Sequence, residues 1–243
     1  MKYLALIFIL IILVGNTTNL FAQKKILVDV GHGQKFYSDP ADKVSTDLVP
    51  TDRLEYMTGE LRKNGAASNA TIGYMKTITK DALSKCNLVF IHSPGSTYSP
   101  NEVAAIKQYL EKGGSLFIVM EEDYWCTLDQ ANVNDIVKPF GITFKSDSPD
   151  KSVGGHSVAG KITKTKYSIP SHGLRLVEGG TGFAYSKGAS DKNPFGVYTE
   201  IKGGGKIVAM GEGMVSLYMT AWENVDNYQC APFMQEVIGW LLK

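Results

Sequence analysis

The sequence predicts an α/β fold: a doubly wound, mostly parallel sheet carrying a β-rich, loop-rich insert. Three observations predict it. Four short apolar runs, residues 24–30, 87–92, 115–120 and 206–210, lack the alternation of half-exposed strands and read as strands buried on both faces. Segments with helical spacing separate the first three runs, as parallel strands require of their connections. From about residue 141 to 205 the composition shifts to Gly, Ser, Lys and Thr, with short alternating runs at 160–167 and 196–201, which predicts β-structure with long loops.

Each element has its own warrant, in chain order. Lys2, an uncharged run over 3–14 and a polar stretch over 15–19 have the pattern of a secretory signal peptide. The run is shorter than the roughly 18 apolar residues of a membrane span. Cleavage is expected after Ala22, although Leu20 fits the site poorly. Residues 23–243 then form one domain, in a secreted or periplasmic location, and loss of Lys2 brings the formal charge of +1 to zero. The first strand, 24–30, is followed by a helix over 51–64 with Leu54, Met57 and Leu61 on one face and Gly65 as its stop. A short strand at 70–74 precedes the buried strand 87–92. Ser99 to Glu102 is a capping box with Pro100 at the first helical position. It opens a helix with Val103, Ile106 and Leu110 on one face, ending at Gly113 and Gly114. Strand 115–120 follows, then a helix over 129–139. Gly203 to Gly205 precedes strand 206–210 and reads as a turn, since a phosphate-binding loop follows a strand and opens a helix. A last helix has Pro232 in its first turn and Phe233, Val237, Ile238, Leu241 and Leu242 on one face.

Composition excludes several classes. A balanced charge with 20% charged residues argues against a nucleic-acid binder, and 44% hydrophobic residues argue against disorder. Beyond the N-terminal run, no apolar stretch is long enough to span a membrane. Cys86, Cys126 and Cys230 are too few, and odd in number, for a disulfide framework; no C-x-x-C occurs. They read as buried small residues, with the choice of any pair left open.

Open α/β sheets bind ligands outside the carboxyl ends of their strands. Here those ends carry Asp29 and His32, His92 and Ser93, Glu121 and Glu122, and Glu212. An Asp three residues from a His can fix its tautomer and make it a base or a ligand. Two carboxylates with a His suit general acid–base work or a divalent cation, but no spacing is diagnostic, so metal and cofactor stay unassigned. Tyr124, Trp125 and Trp222 have faces that can stack on a sugar ring. His156 and His172, on glycine-rich loops, read as turn residues.

Residues 29–34 (DVGHGQ), 88–92, 99–122 and 203–213, with Asn227 and the apolar terminal helix, resemble the class I glutamine amidotransferase-like superfamily, in its ThuA-like and uncharacterised bacterial branch. The resemblance covers about two-thirds of residues 23–243 and implies a flavodoxin-like domain. Active members carry a nucleophilic Cys in Gly-x-Cys-x-Gly; here Glu121 stands at that place, Cys126 comes late, and no His-x-Glu follows. The resemblance therefore implies a secreted, non-glutaminase relative binding a small ligand such as a glycan fragment through His92, Ser93, Glu122, Tyr124, Trp125 and Glu212. The alternative is a secreted hydrolase using Asp29, His32 and Glu121, metal-assisted or not. A complex-assembly role is the third reading.

Overall fold

A computed structural model describes residues 23–42, 51–188 and 193–243. The signal-peptide reading of residues 1–22 lies outside them. The four apolar runs are strands: β1 (Lys24–Asp29), β3 (Leu88–His92), β4 (Ser115–Val119) and β11 (Lys206–Met210). All residues of β3 and β4 are buried. With β2 (Ala70–Met75) they form a parallel block in the order β2-β1-β3-β4-β11.

The sheet does not stop there. Six strands fall in the insert: β5 (Ile142–Asp147), β6 (Gly155–Ser157), β7 (Ser168–Ile169), β8 (Arg175–Gly179), β9 (Thr181–Ser186) and β10 (Gly196–Glu200). β10 pairs antiparallel with β11, and β9, β6 and β7 continue outward, giving nine strands in one mixed sheet. β5 and β8 make a separate antiparallel pair. The architecture is thus mixed α/β, and the mostly parallel sheet expected from the sequence is corrected: four strands of the insert extend the sheet antiparallel, and two stand apart from it.

Helices cover both faces because adjacent residues of one strand point to opposite sides. Ile26 and Val28 pack with α1 (Thr51–Ala66) and α5 (Cys230–Leu241) through Leu54, Leu61 and Phe233. Leu27 and Val89 pack with α3 (Pro100–Glu111) and α4 (Val133–Val137) through Ile106 and Ile136. α3 begins at the predicted capping box, in which Ser99 and Glu102 satisfy each other's backbone N–H groups. Helix α1 runs past Gly65, which faces Ile72 of β2. The helix expected over 129–139 is only α4 and a following 3-10 turn at Lys138–Phe140. A five-residue helix, α2 (Lys80–Ser84), capped by Thr79, has no counterpart among the sequence expectations.

Register positions the site. His92 and Met210 both pair with Val119. The chain therefore leaves β3, β4 and β11 at one level, which brings Ser93, Glu121 and Glu212 to the same edge of the sheet.

Candidate functional site

Two polar clusters lie at this edge. The first surrounds Asp29, at the end of β1 and fully buried. Its carboxylate accepts hydrogen bonds from Gly31 N (3.0 Å), His32 Nδ1 (3.0 Å), Gln34 Nε2 (3.1 Å) and the Tyr98 hydroxyl (2.8 Å). The other ring nitrogen of His32, Nε2, lies 3.2 Å from Glu102 Oε1, and the ring stacks on Tyr98 at 4.1 Å. An imidazole facing carboxylates through both nitrogens donates from both, which makes it the cation. Burial pulls the His32 pKa down, but the hydrogen bond and charge of Asp29, then those of Glu102, leave it raised above 6.5. The structure thus brings Asp29 and His32 into contact, and both ring nitrogens of His32 face a carboxylate.

The second cluster is built on β3, β4 and β11. Glu121 Oε1 accepts from Gly213 N at 2.8 Å. Glu212 accepts from Met214 N and His172 N, each at 2.8 Å. Both acids are buried. Burial and the neighbouring charge of Glu212 push Glu121 well above the ordinary carboxyl range, and burial pushes Glu212 up to about 7. His92 has no exposed surface, and neither ring nitrogen has a hydrogen-bond partner. Burial drives it down to about 4, so it is neutral. Gly213 lets these groups meet: a Cβ there would lie 2.5 Å from Glu121 Oε1 and 2.6 Å from His92 Nε2.

Above the acids lies a cavity of about 440 Å³. Phe36, Trp125 and Trp222 supply aromatic wall, Met214, Leu217 and Met219 the aliphatic part, and Glu122 and His172 reach its side. Phe36 joins Trp125 and His92, with ring centroids 5.3 and 5.4 Å away. Tyr124 and Trp222 stand at the rim and are among the few large apolar side chains exposed. Glu122 pairs with Lys151 at 3.2 Å.

The two clusters touch through Gln34, which donates to Asp29 and accepts from His92 N at 3.1 Å. Of the residues singled out from sequence, the structure gathers Glu121, Glu122, Tyr124, Trp125 and Glu212 around one cavity with His92 beneath it, and puts Asp29 and His32 in the other cluster. Ser93 is buried, in a left-handed conformation (φ 47°), with its hydroxyl against Cys126. His156 lies on β6, away from both clusters, stacked on Tyr185.

Sequence reasoning missed three contributors. Arg175 is buried and donates to Glu121 O (2.9 Å), Lys145 O (2.8 Å), Asp123 Oδ1 (2.7 Å) and Cys126 O (3.0 Å), which fixes the segment after β4. Phe36 and Gly213 come from loops far apart in sequence. Only the glycines flanking Glu212 gave any signal. All three cysteines are free. Cys126 Sγ packs 3.5 Å from Met120 Sδ, and burial pushes its thiol up to about 12. Among the described residues no group of three or more His, Cys, Asp or Glu is arranged to hold a metal. Nor is any described helix long and apolar enough to cross a membrane.

Comparison with known proteins places this geometry among others. The family model of the IFT52 GIFT domain matches residues 51–153, less than half of the chain. It takes in β4 and the Glu121–Trp125 wall but leaves His172 to Trp222 unmatched. No curated protein matches the sequence. The mmIFT52 N-terminal domain superposes with a TM-score of 0.65 at 16% identity, over 90% of this chain and 97% of that one. Cytoplasmic protein STM1381 from Salmonella typhimurium LT2 gives 0.57 at 17%, over 90% and 100%. A β-galactosidase from Bacillus circulans sp. alkalophilus gives 0.54 at 13%, over 90% of this chain and 30% of its own. At these identities the likeness establishes a shared fold.

These findings correct three expectations. The resemblance to glutamine amidotransferase-like proteins gives way to the IFT52 GIFT domain, on which family model and solved domain agree. The ligand-binding and hydrolase readings attached to that resemblance fall with it. Geometry agrees for the hydrolase, because Asp29 and His32 are held by Gln34, Tyr98 and Glu102 instead of converging with Glu121. The secreted or periplasmic location falls as well, since the similar domain belongs to an intraflagellar transport protein.

Proposed function

We propose that this chain is a non-catalytic docking module that joins a protein assembly through the crevice at the carboxyl ends of β3, β4 and β11. The observation carrying this is the match of residues 51–153 to a domain named for IFT52, an intraflagellar transport protein. Chemistry at the edge supports it. The thiol nearest the β4 turn is buried and protonated, and the fully buried His92 has no hydrogen-bonded nucleophile to activate. The rim presents Tyr124 and Trp222, the kind of exposed aromatic surface that marks protein contacts. In the β-galactosidase the same fold makes up 30% of a larger chain, in keeping with a module. We read the block β2-β1-β3-β4-β11 as flavodoxin-like and doubly wound; sheets of that kind bind outside the carboxyl ends of their strands, the edge on which this cavity lies.

The test is site-specific photo-crosslinking from positions 124 and 222 in cells, followed by mixing the purified partner with the purified chain. A complex of fixed stoichiometry by light scattering, weakened by Tyr124→Ala and Trp222→Ala, is the expected result. Failure of any captured protein to form a stoichiometric complex removes the reading.

A further inference from the structure

We infer that the cavity between Glu121, Glu212 and Trp222 receives an arginine side chain of the docking partner. The inference rests on the docking reading and deepens it, by stating what the partner must present. Two independent features point to a cationic, planar group. One is the set of acids: Glu121, Glu122 and Glu212 all face the cavity, three carboxyl groups that a cation can draw into the ionised form. The buried cation nearest them, Arg175, has its donors engaged by Glu121 O, Lys145 O, Asp123 and Cys126 O and gives none to the side-chain carboxyl of Glu121 or Glu212. Lys151 reaches only Glu122, from an exposed position, and His172 faces Glu223 at 3.9 Å. The other feature is the aromatic wall of Phe36, Trp125 and Trp222, whose ring faces attract a cation. Beneath, His92 is fully buried with both nitrogens unpartnered, beside the point where Glu121 and Gly213 meet. The polar groups the cavity reaches are the carboxyls of Glu121, Glu122 and Glu212, set in an otherwise largely apolar wall.

Guanidinium fits this combination better than ammonium. It is planar, stacks on aromatic faces, keeps its charge when desolvated, and offers a fork of N–H donors to two carboxylates at once. The 440 Å³ cavity is ample for the head and stem of one such side chain. Bound arginine favours the ionised forms of Glu121 and Glu212, which burial otherwise holds protonated, so docking releases protons and tightens as pH rises through neutrality. The other groups facing the pair are Glu122, His172, Lys151 and Arg175. Of these Glu122 favours the protonated acids, whereas Arg175 favours ionised Glu121.

The experiment titrates the full chain with three capped tripeptides, Gly-Arg-Gly, Gly-Lys-Gly and Gly-citrulline-Gly, following tryptophan fluorescence and heat. The arginine peptide is expected to bind with a Kd of about 1 mM or below, and the uncharged citrulline isostere at least about tenfold more weakly, a difference of about 1.4 kcal/mol. Affinity is expected to rise with pH, with proton release seen as a dependence of the heat on buffer ionisation. Trp222→Ala, at the surface, and Glu212→Gln each lower affinity about tenfold or more. If Glu212→Gln fails to fold, Trp222→Ala and the pH profile decide. Equal binding of arginine and citrulline peptides, or of neither, overturns the inference. The lysine peptide binding as tightly as the arginine peptide reassigns the pocket to an ammonium and overturns it too. If a crosslinked partner assembles stoichiometrically while arginine discrimination is absent, the docking reading survives and this inference alone fails.

Discussion

Gly213 decides how closely Glu121 and His92 approach, and one methyl group tests it. Gly213→Ala puts a Cβ 2.5 Å from a carboxylate oxygen and 2.6 Å from an imidazole nitrogen. Unfolding in urea is expected to show a loss of about 1–3 kcal/mol, the usual cost of overpacking. Arg175 is the other single residue on which the site depends. Its partners include three backbone carbonyls, so Arg175→Met leaves buried acceptors open and removes the partner of Asp123. A loss of about 3 kcal/mol or more is expected in the same measurement, because each of the three carbonyls left without its donor costs roughly 1–3 kcal/mol. Cys126 and Cys230 are buried with their thiols each pushed up to about 12. Neither is expected to react with an aromatic disulfide reagent until the chain is unfolded, because only a thiolate attacks. Prompt labelling of the native protein at Cys126 contradicts that.

At the scale of the element, Glu102 serves two structures at once. Its Oε2 closes the capping box of α3 with Ser99, while Oε1 faces His32. Ser99→Ala is expected to cost about 1 kcal/mol by thermal melting, the value of an N-cap. Glu102→Gln is expected to cost more, since it also lowers the pKa of His32, which an NMR titration of the ring reads directly. This helix was legible in the sequence because its signals are local: a cap, a proline and an apolar face within a dozen residues. β3, β4 and β11 were legible because burial on both faces leaves continuous apolar runs. The strands β6 and β7, of three and two residues, carry no such run. Their antiparallel pairing to the main sheet is a long-range fact that no local pattern encodes. The same division holds in the site. Glu121, Glu212 and His92 follow strand ends and were found there, and Asp29 with His32 was found by spacing. Arg175, on β8, and Phe36, on a loop, reach the crevice only once the strands are in place. Glu102 was recognised as a cap but not as the second partner of His32, for the same reason.

For the molecule as a whole, buried ionisable groups set the dependence of stability on pH. Glu212 moves from 4.5 up to about 7 on folding, and Glu121 and His32 are raised as well. A group raised on folding stabilises fully below its unfolded value and loses that contribution as pH rises through its folded value. Glu212 therefore costs stability progressively from 4.5 to about 7, and His32 adds a loss above 6.5. Glu102 runs the other way, because its pKa is lowered, chiefly by Ser99 and His32 acting against burial, and its contribution disappears only in acid. The melting temperature is expected to fall as pH rises from mildly acidic to neutral. Glu212→Gln, which cannot ionise, flattens the curve. A melting temperature that climbs over that interval contradicts the protonated state assigned to the two acids.

β11 is a central strand held between β4 and β10, yet it arrives late in the chain. A ribosome that has made β4 must add everything up to Lys206 before that strand's open edge can be closed. At about 5–20 residues per second the interval is on the order of ten seconds. During it a mostly apolar edge, Ser115–Val119, has no neighbour on one side, the kind of edge that pairs with other chains. The exposure of that edge therefore lasts as long as synthesis of the insert between β4 and β11, so anything that slows translation over residues 120–205 prolongs it.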